Sequence, residues 1–420
     1  MEIQSIRPYG STTNFKGVEQ MASKKVANVA LVGGGGRIGR NVLREYLLAN
    51  HAPKGVYNSW DRLKEIIPLL NIVAINMGSM GLKGGKTIQD VGDEDLISQI
   101  RNDSVLGRLP ECIATSIKRS EAGDVFLHVE SANKQEDINL VATRDDVDFS
   151  RWNAEILLDA TGARTSKAAM QELKDGTPTA QYALLSAPDK EKDKSVTPMP
   201  MVVAHVNDGK IAEIKEAGGI ASSASCTTTC IAPIIKFMHE KFGVDCGTIE
   251  TTHAATATQF TADKSNKEAD SKKRGSFDSM IPTTTGAAKA VGRVVADLNK
   301  RLDGAATRVP TANGSMAILN LSLDKADVTV DEIKAALEEA SKSEEYKDLI
   351  AFAPKGSSSK DVLGRHESAL IIPESFKVVK GKHSTIATIK AYYDNEFGYT
   401  RSYLTLANEV AKDVVAQKQA

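Results

Sequence analysis

The sequence predicts an α/β protein whose first half is built on a parallel sheet, and three observations carry that expectation. Residues 26–32 (VANVALV) form an almost unbroken apolar run, as a strand buried on both faces requires. The run passes into Gly33–Gly36 and then RIGRNVLREYLL, where Ile38, Val42, Leu43 and Leu47 have helical spacing. Further short apolar runs alternate with helical patterns, the order of a sheet covered on both faces.

The remaining elements follow in order. Strand candidates are 71–75 (NIVAI), 125–129, 156–158 and 182–185. The later half changes character. There 248–257 (TIETTHAATA), 317–321, 375–379 and 385–393 read as longer strands separated by charged segments. Residues 331–342 (DEIKAALEEASK) read as an amphipathic helix, with Ile333, Ala336 and Leu337 on one face and acids in the first turn. A last helix is expected from Arg401 to about Ala416. The charged run 263–274 reads as a solvated loop.

A length of 420 residues with 41% hydrophobic and 25% charged side chains predicts two or three globular domains. The 53 basic residues balance 54 acidic ones, which argues against a dedicated nucleic-acid binder. No apolar run reaches the roughly 18–20 residues a bilayer crossing needs. Four cysteines in so long a chain make no disulfide framework, so a reducing compartment is expected. Residues 1–24 read as a polar extension. They lack the apolar segment of a secretory signal and the Arg-rich, acid-poor composition of a transit peptide, so the expected location is cytoplasmic, with organelle targeting by this extension as the alternative.

Gly34-Gly35-Gly36-Arg37-Ile38-Gly39 fits the G-x-G-x-x-G pattern, and it lies where that pattern has meaning, between a buried strand and a helix. Gly34 permits the tight turn, Gly36 lets a pyrophosphate approach the backbone, and Gly39 lets helix and strand pack closely. The helix start offers free N–H groups and a positive dipole end. The acid expected at the end of the second strand is missing. NIVAI is followed by Asn76 and Met77, so nothing there repels a 2′-phosphate, and NADP stays open beside NAD.

Cys226 opens a helical pattern, where the helix dipole is expected to favour thiolate and lower the thiol pKa. Cys230, one turn later, should face inward. Free cysteines are more commonly apolar filler, and a Cys-x-x-x-Cys metal site lacks a second ligand pair. His253 lies in a strand-like TTHAATATQ. A helix-start cysteine together with a histidine on a later strand raises a nucleophile–base reading.

ASCTTTCIAP, TTHAATATQ, IPTTTGAAKAVGRV with LDGAATRVPTANGS, YYDNEFGYTRSY and GRIGR occur in this order, and together they resemble the motifs of the phosphorylating glyceraldehyde-3-phosphate dehydrogenase family. The resemblance is weakest over residues 1–23 and 50–150. It implies a Rossmann-type parallel-sheet dinucleotide domain over 25–225, completed by a helix in 394–420. It also implies an α+β catalytic domain over 226–393 with a largely antiparallel sheet. By the same resemblance Cys226 attacks an aldehyde, His253 acts as base, and a thioester is cleaved by inorganic phosphate. Asn395 would bond the nicotinamide carboxamide with Tyr399 nearby. Thr161 and Gly162 would lie by the cofactor, and Arg144 near the adenine. Thr256, Thr258 and Arg308 would hold the sugar phosphate. Ser225, Thr285 and Gly286 would hold the attacking phosphate, and Thr227 belongs to the same set. The implied assembly is a homotetramer, and no nucleic acid, membrane or metal is implied.

The chain departs from the family at several places. Gly33 and Gly35 replace an Asn and an aromatic residue. Thr229 replaces an Asn after Ser-Cys-Thr-Thr. Lys272 occupies the basic position of the anion loop, with Arg274 two residues on. Met77 replaces the acid that selects NAD, and Lys264-Ser265 stands where NAD-preferring members carry an apolar residue and Pro. Serine can bond a 2′-phosphate and lysine can neutralise one. Rival readings are an erythrose-4-phosphate dehydrogenase and a non-catalytic cofactor-binding scaffold.

Overall fold

The computed structural model describes residues 25–53, 58–78, 80, 86–132, 134–256, 259–263, 273–382 and 384–420. The expected extension 1–24 and the site candidates Thr258, Lys264, Ser265 and Lys272 lie outside the described residues.

At the centre of the first sheet β1 (Ala27–Val32) and β2 (Leu70–Asn76) run parallel, joined through α1 (Arg37–His51) and α2 (Asn58–Ile66). After α3 (Asp93–Arg101) and a small hairpin of β3 (Asn102–Asp103) and β4 (Gly107–Arg108), three strands build one flank. They are β5 (Ala114–Arg119), β6 (Val125–Ser131) and β7 (Lys134–Val141), with β7 parallel to β2. The other flank is parallel: β8 (Ile156–Asp159), β9 (Tyr182–Leu185) and β10 (Ile220–Ser222), with α4 (Lys167–Asp175) and α5 (Ile211–Glu216) between strands. The spatial order is β10-β9-β8-β1-β2-β7-β6-β5.

The expected strand at 125–129 therefore exists, but it is antiparallel to both neighbours. Two residues separate β6 from β7, too few for the crossover that parallel neighbours need. The pattern read there as one isolated strand is the middle of a meander.

The second half begins with α6 (Cys226–Phe242) and β11 (Val244–Ala254). Then come β12 (Ile281–Thr284), α7 (Ala287–Val294), β13 (Leu302–Val309), β14 (Ser315–Leu323) and α8 (Val330–Ala340). The short strands β15 (Ile350–Phe352), β16 (Ala369–Ile371) and β17 (Lys377–Lys380) lead to β18 (Thr385–Tyr393) and α9 (Phe397–Gln419). This sheet has the order β12-β13-β11-β14-β18-β16-β15, with β17 paired to β18. Its pairs are antiparallel except β11/β13 and β15/β16.

Each sheet has its own core. Ile231, Ile234, Ile235 and Met238 of α6 pack with Ile249, Leu319, Leu321 and Ile389 of the second sheet. The last helix returns to the first core, where Phe397, Tyr403, Leu404 and Val410 join Val42, Leu43, Leu47 and Leu158. This helix starts at Phe397, four residues earlier than expected. Asp394 Oδ1 accepts from the N–H groups of Glu396 and Phe397 at 2.8 and 3.0 Å, which satisfies the first turn from outside it. The strand expected at 375–379 starts at Lys377, because Pro373–Ser375 forms a 3₁₀ turn.

Candidate active site

The glycine turn is a backbone construction. Gly33 and Gly34 donate to the Asn76 carbonyl at 3.0 and 2.8 Å, and Gly36 donates to the Gly33 carbonyl at 3.0 Å. Gly33 has φ +86°, a left-handed value that favours glycine. A Cβ on Gly34 would stand 2.2 Å from Ile75 Cγ2, one on Gly35 2.4 Å from the Met77 carbonyl, and one on Gly39 2.2 Å from the Gly33 carbonyl. Gly36 precedes α1, and no side chain caps its first N–H groups. Bare peptide N–H groups at an open helix start suit a diphosphate, so the turn fits a dinucleotide.

The neighbouring candidates lie around this turn in different ways. Met77 is buried, 3% exposed, and a Cβ on Gly34 would lie 3.5 Å from its sulfur. Asn76 Oδ1 accepts from Gly78 at 2.9 Å and Thr143 at 3.3 Å. Ile38 packs against the first core. Thr161 comes directly beside Gly33, and its N–H and hydroxyl both donate to buried Asp159, at 2.7 and 2.6 Å. A Cβ on Gly162 would meet nothing within 4 Å. Arg144 is exposed just after β7. Arg37 sends its guanidinium to Glu396 and to the Ala255 and Ala312 carbonyls.

The second group converges from four elements. Ser225 caps α6, its Oγ accepting from Thr228 N at 3.2 Å, and Cys226 is the first helical residue. His253 lies on β11, next to Arg308 on parallel β13. Asn395 follows β18. Cys226 Sγ is 3.6 Å from His253 Nε2. Asn395 Nδ2 is 3.7 Å from the sulfur and 3.3 Å from the same histidine nitrogen. Asn395 Oδ1 accepts from Ser315 Oγ at 2.7 Å and Gly314 N at 3.2 Å, which fixes the amide. His253 Nδ1 faces the Ala254 carbonyl at 2.8 Å, and a proton held there leaves Nε2 as an acceptor towards the sulfur. Arg308 Nη1 lies against His253 Nδ1 and donates to the same carbonyl at 3.1 Å.

The electrostatics correct one expectation. Burial pushes the Cys226 thiol above its ordinary value, although the Asn395 contact, the Arg308 charge and Thr227 pull the other way. Burial, with help from the Arg308 and Arg37 charges, holds the His253 imidazole down to about 4. Both shifts favour thiol and neutral imidazole over thiolate and imidazolium. Cys230 is fully buried behind it, its thiol raised by desolvation.

The phosphate candidates divide. Thr227 donates or accepts at 2.8 Å with Tyr393 Oη. Thr285 Oγ1 accepts from Ala287 N at 3.2 Å, and Gly286 sits exposed at the start of α7 with open space where a Cβ would stand. Thr256 N donates to Gln259 Oε1 at 2.9 Å. Arg274 is exposed and pairs with Asp263 at 3.4 Å, with no hydrogen bond to Cys226 or His253. Tyr399 is buried in α9, its hydroxyl 2.8 Å from Ser223 Oγ.

Reading the sequence alone missed Tyr393, Asn313 and Ser315. Tyr393 sets its ring edge-on to His253 at 6.0 Å. Asn313 Oδ1 accepts from Asn395 N at 2.9 Å. All three lie inside motifs already singled out, so their presence was the only signal. Among the described residues no helix is long and apolar enough to cross a membrane, and no cluster of three or more His, Cys, Asp or Glu could hold a metal.

Comparison with known proteins points to one family. Residues 225–395 match the family model described as glyceraldehyde 3-phosphate dehydrogenase, C-terminal domain. A glyceraldehyde-3-phosphate dehydrogenase of Bacteroides fragilis is 35% identical over 337 residues, 78% of this chain and 92% of that protein. The enzyme of that name from Geobacillus stearothermophilus is 32% identical over 382 residues, 90% of this chain and 97% of its own. A cytosolic one from Pisum sativum is 35% identical over 272 residues, 64% of this chain and 75% of its own.

Proposed function

The chain belongs to the glyceraldehyde-3-phosphate dehydrogenase family, and on that premise we propose that it oxidises glyceraldehyde 3-phosphate to 1,3-bisphosphoglycerate with inorganic phosphate. The observation that carries the proposal is the 3.6 Å approach of Cys226 Sγ to His253 Nε2 at the start of α6. In this reading 25–225 with 394–420 hold the dinucleotide, 226–393 carry the catalytic side chains, and the chain assembles as a homotetramer.

Cys226 attacks the aldehyde carbon, and a C–S bond forms as the thiol proton passes to Nε2 of neutral His253. That proton returns to the former carbonyl oxygen. A bound nicotinamide supplies the acceptor for the hydride on the same carbon. As the carbon is oxidised, His253 takes the hydroxyl proton, leaving an acyl thioester on Cys226. Inorganic phosphate attacks the acyl carbon, the C–S bond breaks, and Cys226 leaves as thiolate and recovers its proton from His253. Arg308 supplies a fixed positive charge beside the couple for the phosphates, with Thr256, Thr285 and Gly286 as neutral donors.

Both NAD and NADP suit the turn. The end of β2 carries no carboxylate, and we propose that NADP is used at least as well as NAD. Initial rates with glyceraldehyde 3-phosphate and phosphate, with each dinucleotide at matched concentrations, test both statements. No turnover with either dinucleotide overturns the activity. A large preference for NAD overturns the NADP reading alone.

A further inference from the structure

Arg37 opens α1 directly after the glycine turn, and its guanidinium reaches three other segments. Nε donates to Glu396 Oε1, Nη1 to the Ala255 carbonyl at 3.0 Å, and Nη2 to the Ala312 carbonyl. Each segment belongs to the site. Ala255 lies two residues beyond His253. Ala312 precedes Asn313, which holds the Asn395 backbone N–H. Glu396 follows Asn395 directly.

Glu396 is gripped from the same side. Its side chain is 2% exposed, and its second oxygen accepts from Asn41 Nδ2 at 2.9 Å. That amide also donates to the Arg37 carbonyl at 3.0 Å. Two residues of α1, one turn apart, thus clamp one carboxylate, and the guanidinium fork serves three acceptors at once. A lysine has the charge but not the planar fork. A buried carboxylate with these partners is costly to leave unpaired, so the link is not a casual surface contact. The glycine turn is held by its own backbone, with Gly33 and Gly34 donating to the Asn76 carbonyl, so the Arg37 side chain is free of that construction.

We propose that Arg37 and Glu396 form a positioning pair that sets where His253 and Asn395 stand relative to the dinucleotide turn, so that the rate of the chemical step depends on two side chains that touch no reacting atom. The proposal rests on the dehydrogenase reading above.

Two substitutions in the full chain test it, Arg37→Lys and Glu396→Gln, each close in size to the original residue. The measurements are kcat and KM for glyceraldehyde 3-phosphate, and the dinucleotide Kd by fluorescence titration. Both variants should lose at least about tenfold in kcat with a smaller loss of dinucleotide affinity, because the N–H groups of the turn stay in place while the Asn395 contact to the nicotinamide shifts. A second measurement follows Cys226 alkylation by iodoacetamide against pH in the absence of dinucleotide. Arg37→Ala should move the His253 limb to higher pH, because a positive charge that disfavours imidazolium is gone. Arg37→Lys should leave that limb in place, which separates charge from geometry. Weaker dinucleotide binding with unchanged kcat in Arg37→Lys makes Arg37 a ligand and overturns the proposal. Unchanged kcat in both variants overturns it as well. If the unmodified chain turns over no aldehyde phosphate, the dehydrogenase reading fails, and the alkylation profiles alone decide the pair.

Discussion

Seven consecutive residues, Gly33–Gly39, shape the turn at the end of β1, and their contribution is mainly backbone: N–H groups and the absence of Cβ atoms. The cysteine centre is made the other way. Cys226, His253, Arg308 and Asn395 come from four separate segments, and each contributes a side chain. The turn is tuned by what is missing from it. The centre is tuned by sheet register, since a one-residue slip between β11 and β13 would carry Arg308 to the opposite face from His253.

The largest separation between the two regions is expected from Cys226→Ser. Turnover should fall by roughly 10⁴-fold or more, because the nucleophile is lost, while dinucleotide Kd is unchanged. Loss of binding together with activity would show the regions are not independent, and intact turnover would show that Cys226 is not the nucleophile. Gly39→Ala should do the reverse. Its Cβ must displace the Gly33 carbonyl from 2.2 Å. A strain of about 1–3 kcal/mol corresponds to a loss of dinucleotide affinity of about fivefold to 150-fold. Cys226 alkylation should be little changed in that variant.

Met77→Asp sharpens the turn side. A carboxylate near a 2′-phosphate should lower the NADP/NAD ratio of kcat/KM about tenfold, the size of ~1.4 kcal/mol of repulsion. Because Met77 is buried, the ratio is the proper readout, since any general destabilisation cancels from it. The smallest effect belongs to pH. With its pKa held down to about 4, His253 is neutral above that value and protonated below it. Proton transfer from thiol to neutral imidazole then gives a kcat/KM nearly flat from pH 5.5 to 7.5, apart from a shallow step near 7 where burial places the Glu396 carboxyl, with the His253 limb falling as pH approaches 4. A tenfold rise per pH unit across the flat range would mean that a thiolate forms without His253.

How far each region could be read in advance follows from its construction. The turn was legible because strand, glycines and helix are contiguous, and the pattern carries its own context. The helix start at Cys226 was legible for the same reason, with Ser225 as its cap. The meander of β5, β6 and β7 was not, because a half-exposed strand pattern does not state the direction of its neighbours. The electrostatics of the cysteine were not legible, because a helix dipole can be read from sequence while the burial that raises the thiol cannot. Tyr393, Asn313, Ser315 and Glu396 were unassigned, because a side chain that orients another shows itself only by contact.

By itself the sequence determined the class of fold, the dinucleotide turn, the two residues expected to exchange a proton, and the family. These are properties of short contiguous stretches, where spacing and residue type suffice. Only the tertiary structure decided that Sγ and Nε2 meet at 3.6 Å, that burial acts on both members of the couple, and that Arg37 reaches across to Glu396. Those facts depend on distance and burial between segments far apart in the chain, which no local pattern encodes.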